Sequence, residues 1–478
     1  MKSVIEEILK KFNSMEKISI LVLLILFVFV NDKNLIIGIP FLLLLIYSFI
    51  KDKNKREIII ENIGIVGVVL YLLGFSFSDY SSNRGSWLMI LSFLFQIFYK
   101  KKKIEFGEKK IMYMFFFILI FGCIWTSFSY DGVNSIGRFI KVNKRFLETF
   151  LMLNIIKEKR QFIVAEKTFI LGALIVAIYY MLDYILNYNI ASTHVNYRCE
   201  GFKNVTYSAG ILMMGSMYLF GKIWEIKTIK EIYSKYIDII SFIIIFIGLI
   251  LTKLRASLLG IGAGIIFIII FSFDWKKVLL LFLLGSSLIF VVPDTIIERV
   301  RHITIEKSIK SVNTGSDNMR RIMWQGSVYT WKNNKIFGAG ARGTKYWVQK
   351  FADENTDKNG KTLYGFNREE FTYGEAHSIY LNMLAETGIF SILYFIQLFI
   401  FIPSLVLKSL KANKNKGEKL GAIVGMISYY IMGAVWSLWG YYGAVQSIFQ
   451  FMLFILIYFY LEDLQNKRKE IIKWWKKK

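Results

Sequence analysis

Hydrophobic residues along this chain come in long runs separated by short polar segments. The runs occupy 17–31, 35–50, 58–76, 85–99, 111–128, 137–155, 162–187, 206–223, 236–252, 256–273, 277–293, 386–407, 419–440 and 444–461. A hydrocarbon layer ~30 Å thick needs ~20 apolar residues per helix, and most of these runs approach that length. Only helices and closed barrels satisfy their backbone groups in lipid. The period-two alternation of barrel strands is absent here. The pattern therefore predicts an all-α polytopic membrane protein with about 12–14 transmembrane helices. Residues 1–293 are expected to hold the N-terminal helices, with outer loops at 188–205 and 252–256. Residues 294–385 form one large extracytoplasmic loop, 386–461 the C-terminal helices, and 462–478 a basic cytoplasmic tail.

Charge orients this layout. The 478 residues carry 60 Lys and Arg against 35 Asp and Glu, a formal +25. In a soluble protein that excess would point to nucleic acid. Here the cations sit in short clusters between apolar runs, as the positive-inside rule requires, and no nucleic-acid partner is expected. Clusters occur around Lys51–Arg56, Lys100–Lys110, Lys157–Arg160, Lys222–Lys235, Lys276–Lys277, Lys408–Lys419 and Lys467–Lys478. If all fourteen runs cross, every cluster falls on one side and both termini are cytoplasmic. The run at 137–155 is the least apolar, since it contains Arg138, Lys141, Lys144 and Arg145. It is retained as an interior helix with its charges near the outer end, because dropping it would put Lys157–Arg160 outside. No small-residue cleavage site follows the first run, so no cleavable signal peptide is expected.

A loop as long as 294–385 is uncommon between membrane helices unless it has a task, and a small helical cap is expected there. Two cysteines, Cys123 and Cys199, do not make a disulfide framework. Phosphate-binding and zinc motifs are missing. Gly338-Ala339-Gly340-Ala341-Arg342-Gly343 follows no predicted strand, so it reads as a tight turn in which backbone closely approaches another segment. The three histidines, His194, His302 and His377, all fall on the outer side of this topology. Histidine is the side chain best suited to take a proton near neutral pH. His377 stands just before a helix enters the membrane, and Arg198 and Arg255 share its level. A guanidinium there either snorkels to headgroups or grips a diphosphate with its two-pronged fork.

These residues resemble those of the O-antigen ligases and related polysaccharide polymerases. His377-Ser378, followed after nine residues by Gly388, is similar to the ligase pattern of His and a small polar residue ahead of a Gly. Trp324 and then Phe337-Gly338-Ala339-Gly340 resemble that family's Trp followed by a Gly-x-Gly turn. Arg198-Cys199-Glu200-Gly201-Phe202 and Thr252-Lys253-Leu254-Arg255 resemble its two Arg-bearing outer segments, in the same order. Departures are Ser391 where the pattern has Gly, Thr or Tyr, Leu254-Arg255-Ala256 in place of Ser-Arg-Gly, and no Pro after the first Arg. None removes a charged or titrating group.

The resemblance implies a bacterial inner-membrane glycosyltransferase with its active site on the periplasmic side. Its donor would be a glycan on undecaprenyl diphosphate, and its acceptor a lipid A core sugar (ligase) or a lipid-linked glycan (polymerase). Membrane lipid is the remaining partner. His377 would be the general base, and Arg198 and Arg255 would bind the diphosphate. Arg320, Arg321, Arg342, Lys345 and Glu375 are candidate helpers from the long loop. No cofactor or metal is required, because a charge-countered diphosphate leaves readily and attack from the opposite face inverts the sugar. The ligase is the preferred reading and the polymerase its nearest rival. A lipid-linked oligosaccharide flippase or other transporter is the rival of a different class. The central parts of most runs lack the charged or broken helices that such a protein places at mid-membrane.

Overall fold

The computed structural model describes residue 47 and residues 51–77, 79–99, 101–187, 204–291, 315–362, 367–369, 371–411, 414–436, 438 and 443–475. The run at 17–31, nearly all of 35–50, and His194, Arg198, Cys199 and His302 lie outside the described residues.

Helices account for nearly all of the described structure. They are α1 (Lys53–Phe77), α2 (Asp79–Phe98), α3 (Lys109–Ser127), α4 (Asn134–Asn143), α5 (Phe146–Ile155), α6 (Lys159–Leu186), α7 (Val205–Trp224), α8 (Ile229–Ser234), α9 (Tyr236–Leu251), α10 (Arg255–Phe271) and α11 (Trp275–Val291). The long loop contributes α12 (Gly315–Asn333) and α13 (Thr344–Glu354). Then come α14 (Ile379–Thr387), α15 (Ser391–Ile396), a π-helical turn (Gln397–Phe401), α16 (Ile402–Leu410), α17 (Lys416–Ala434) and α18 (Gly443–Trp475). Among the described residues the only β pairing is two isolated bridges, Thr356 with Thr362 and Lys361 with Asn367. Among the described residues, four helical stretches are long and apolar enough to cross a membrane: Lys109–Ser127, Lys159–Leu186, Ile379–Leu410 and Val445–Lys467. Shorter apolar helices accompany them at Asn62–Ser76, Phe146–Ile155, Tyr236–Leu251 and Arg255–Phe271. The protein is an all-α polytopic membrane protein.

A helix that is apolar on every side must be enclosed by others. That describes α7, buried almost without interruption from Thr206 to Lys222, and the first half of α18. The outer helices keep Ile120, Phe121, Ile124, Ile266, Ile270, Leu280 and Phe282 exposed, as lipid-facing residues should be. Small residues let the central helices close on one another without a hydrophobic driving force between them. Gly221 of α7 meets Gly421 of α17 backbone to backbone, and Gly260 of α10 lies against Ser428 of α17.

Lysines gather at the end of α17 marked by Lys416. Lys222 lies 2.8 Å from Glu166 and 2.9 Å from Asp238, and the Tyr218 hydroxyl donates to Glu166 at 2.6 Å. Lys419 and Asp463 pair at 2.8 Å, and Lys416 reaches Glu225 at 3.1 Å. The hydropathy pattern counts Lys222 and Lys419 among the loop charges. In the structure both are buried ion-pair partners inside the helix bundle.

Three other elements differ from the pattern. The run at 137–155 is two ten-residue helices broken at Lys144–Arg145, not one span. The break lets the Arg145 guanidinium donate to Ser447 at 2.5 Å, while all of α5 from Glu148 to Ile155 is buried against its neighbours. Helix α2 begins at Asp79, so most of the expected loop at 77–84 is helical. The last run and the basic tail as far as Trp475 form one continuous helix, α18.

Candidate functional site

The Gly-x-Gly turn and the histidine motif form one joint. A helix leaves its last four carbonyls without intrahelical partners. Those of α14 are all taken. The Gly388 N–H donates to Leu384, the Ala339 N–H to Ala385 at 2.9 Å, the Gly340 N–H to Glu386 at 2.9 Å, and Trp125 Nε1 to Thr387 at 3.1 Å. The Ile389 N–H donates back to Ile336 at 3.1 Å, and Tyr130 N–H to Gly338 at 3.2 Å. Gly338 and Gly388 have φ of 74° and 59°, and a Cβ on either would collide with the facing backbone. The close approach expected from the turn is thus an approach to the end of α14. Arg138 of α4 adds a bond to the Ala341 carbonyl at 3.3 Å and pairs with Asp131 at 2.7 Å.

At the other end of α14 the chain from Phe371 to Ser378 is laid along α13. Phe371 is buried with Ile322, Met323, Val348 and Ala352 in a small core between α12, α13 and this segment. The Gln349 side chain donates to the Tyr373 carbonyl at 2.6 Å, and the Thr344 hydroxyl to Gly374 at 2.5 Å. Gly374 closes on the Lys345 side chain. Asn382, one turn into α14, accepts the Ala376 N–H at 2.8 Å. Between these anchors His377 is held at φ 46°, a left-handed conformation that costs a side-chain-bearing residue about 1–3 kcal/mol. Lys253, two residues before Arg255, and Arg342 also have positive φ, at 51° and 56°.

The imidazole is enclosed on three sides. Glu375 Oε1 lies 3.4 Å from His377 Nε2, with both side chains largely buried. The Trp436 ring is 4.8 Å away, and the Tyr373 ring stands perpendicular at 6.1 Å. Arg320 lies over Trp436 with its guanidinium carbon 5.5 Å from the ring centroid. Glu386 sits beneath, accepting the Arg342 backbone N–H and within the electrostatic reach of Arg342, Arg138 and Glu375. His377 Nδ1 and Glu375 Oε2 are buried and make no hydrogen bond among the described residues.

Of the residues read from the sequence, the structure brings His377, Glu375, Arg320 and Arg342 together. Arg321 is exposed on α12, and Lys345 is exposed above its contact with Gly374. Arg255 opens α10. Gly260 and Gly264 of that helix face Ser428 and Val424 of α17, which sets the two helices in opposite directions. The register carries Arg255 toward Gly433, the residue against which Ile379 packs. Arg255 and the His377 loop therefore share one end of α17, opposite the lysines. Trp436 was not legible as a site residue, since it stands near the end of the apolar run 419–440, where a Trp is an ordinary interfacial residue. Asn382 carried a signal, an amide one helical turn after His377-Ser378.

Residues 240–396 match the family described as O-antigen ligase, a stretch running from α9 through Arg255, the Gly-x-Gly turn and His377 into α15. No curated protein matches the chain. Through these residues the chain is similar to the O-antigen ligase superfamily, a likeness that accords with its all-helical, multi-pass membrane architecture.

Proposed function

We propose that this protein moves a glycan from undecaprenyl diphosphate to an acceptor hydroxyl at the outer face of a bacterial inner membrane, and that it is a ligase whose acceptor is a lipid A core sugar. The observation that carries the reading is the fixed His377 imidazole. It sits in a strained loop at the end of a membrane helix, walled by two aromatic rings and a carboxylate, on the segment that the family match covers. A general base needs that combination of fixed geometry and limited water access, and contributes typically 10²–10⁴-fold.

In this mechanism His377 removes the proton from the attacking hydroxyl. The oxygen attacks the anomeric carbon from the face opposite the diphosphate, whose bond to carbon breaks with inversion. Arg255 and Arg198 hold the diphosphate, where negative charge grows in the transition state and fixed cations contribute most. Arg255 is supported by its place at the His377 end of α17; Arg198 is carried by its resemblance alone.

The test is purified protein in lipid with a polyprenyl-diphosphate glycan. His377→Ala should abolish transfer while the helical content and melting of the protein stay unchanged; persisting transfer removes the base. Supplying donor without core lipid separates the acceptors, because chain growth under that condition identifies a polymerase.

A further inference from the structure

We propose that Glu375 is the positioning residue of His377, fixing the ring with its proton on Nε2 so that Nδ1 carries the lone pair that works as the base. The inference rests on the transfer reading above and adds to it a second residue and a particular atom.

A neutral imidazole has one N–H and one lone pair, and which nitrogen has which is set by the groups around the ring. Here the surroundings are unequal. Nε2 faces the Glu375 carboxylate at 3.4 Å, and a carboxylate only accepts. Nδ1 is enclosed and has no hydrogen-bond partner among the described residues. Placing the proton on Nδ1 would bury a donor with nothing to receive it and set the Nε2 lone pair against a carboxylate oxygen. Both terms are unfavourable. With the proton on Nε2 the N–H faces Glu375 Oε1, and the lone pair on Nδ1 is the one that no described residue uses.

The other charges around the pair do not duplicate this role. Arg320 is placed against the Trp436 ring, its guanidinium carbon 5.5 Å from the centroid. Arg342 and Arg138 act on Glu386, which stands beside Glu375 rather than beside the ring. Tyr373 presents its ring, edge to face, to the imidazole. Glu375 is the carboxylate paired with the ring itself.

The step balances with these groups alone. The acceptor O–H bond breaks and an Nδ1–H bond forms. The oxygen pair makes the new bond to the anomeric carbon, and the old C–O pair leaves on the diphosphate. The ring is then an imidazolium whose Nε2–H points at Glu375, so the carboxylate stabilises the charge as it develops. The 3.4 Å carboxylate-to-imidazole gap is longer than an ordinary hydrogen bond, and it tightens once that charge exists.

The experiment uses full-length protein in nanodiscs, with nitrogen-15-labelled histidine and His194 and His302 replaced by Gln so that one ring is observed. Above the pH at which that ring is charged, its two nitrogen resonances should report the Nε2–H form. In Glu375→Gln, whose amide can also donate, the Nδ1–H form should rise several-fold. Transfer by Glu375→Gln should show kcat lowered about tenfold or more, the pattern of a base that has lost its orienting carboxylate, with donor KM changed less than about twofold. Glu375→Asp should recover part of it. A wild-type ring protonated on Nδ1 overturns the assignment, as does a Gln variant in which neither the resonances nor kcat move. Transfer surviving in His377→Ala would instead remove the base reading and leave the ring assignment to be judged by the spectra, so the two failures are distinguishable.

Discussion

The two ends of α17 are held by different chemistry. At the Lys416 end, buried cations and carboxylates from five helices consume one another: Lys222 with Glu166 and Asp238, Lys419 with Asp463. At the Gly433 end, some 25 Å away along the helix, the fastening is to backbone groups, from other amides and from the neutral or cationic side chains of Trp125, Arg138, Gln349, Thr344 and Asn382. Carbonyls of α14 receive amides of the Gly-x-Gly turn, and glycines remove the side chains that would intervene. A polar side chain that holds a fold together has its hydrogen-bonding capacity used. Where the backbone does the holding, titratable side chains are left for other work. His377 and Glu375 are at that end, each with an unused buried atom.

The largest effect should come from disrupting the backbone joint. Gly388→Val puts a branched side chain at φ 59° and against the Ile336 carbonyl. It is expected to abolish transfer and to expose the 371–378 loop to limited proteolysis, while the buried α7 keeps its hydrogen-exchange protection. Loss of protection in α7 would show that the two ends are not separable. The next effect belongs to the lysine end. Lys222→Met leaves Glu166 and Asp238 facing each other unpaired, and removing one partner of a buried ion pair costs about 3–5 kcal/mol. Detergent-denaturation midpoints should fall accordingly, with transfer per folded molecule within about twofold of wild type. A large loss of specific transfer would mean that charge at this end reaches the site.

The smallest effect is a pH dependence at the lysine end. Glu231, in the first turn of α8, is held below the usual carboxylate range, first by the Lys227 backbone N–H it accepts at 2.8 Å and further by the Thr228 hydroxyl and Lys235. A carboxylate with a lowered folded value stabilises the turn above its unfolded value, and that contribution is lost as pH falls through the lowered one. The protection of the Lys227 amide, relative to its intrinsic exchange at each pH, should fall on acidification below the usual Glu range, and Glu231→Gln should remove that pH dependence.

The apolar runs were legible because a membrane span writes its own length into the sequence. Charge orientation was less so. Lys222 and Lys419 look like loop lysines, since their partners Glu166 and Asp463 are 56 and 44 residues distant and no local pattern links them. The break inside 137–155 was hidden for a similar reason. Arg145 needs Ser447, 302 residues away, to explain its position. At the site, the histidine motif and the Gly-x-Gly turn were visible as two separate features. That they are one joint depends on amides and carbonyls some 46 positions apart, and backbone groups leave no trace in side-chain identity. Glu375 and Arg342 were legible as charges near the motif, whereas the pairing of Glu375 with Nε2 is a matter of coordinates.

Helix α18 carries a consequence for the shape the protein presents beyond the lipid. Its 33 residues make a rod about 50 Å long. Even at ~40°, the steep limit of usual tilts, such a rod spans about 38 Å along the bilayer normal against a hydrocarbon thickness of ~30 Å. At least one and a half turns must therefore stand clear of the hydrocarbon. Whichever end of α18 leaves the hydrocarbon does so as a stiff post, and its reach beyond the lipid is set by helix pitch.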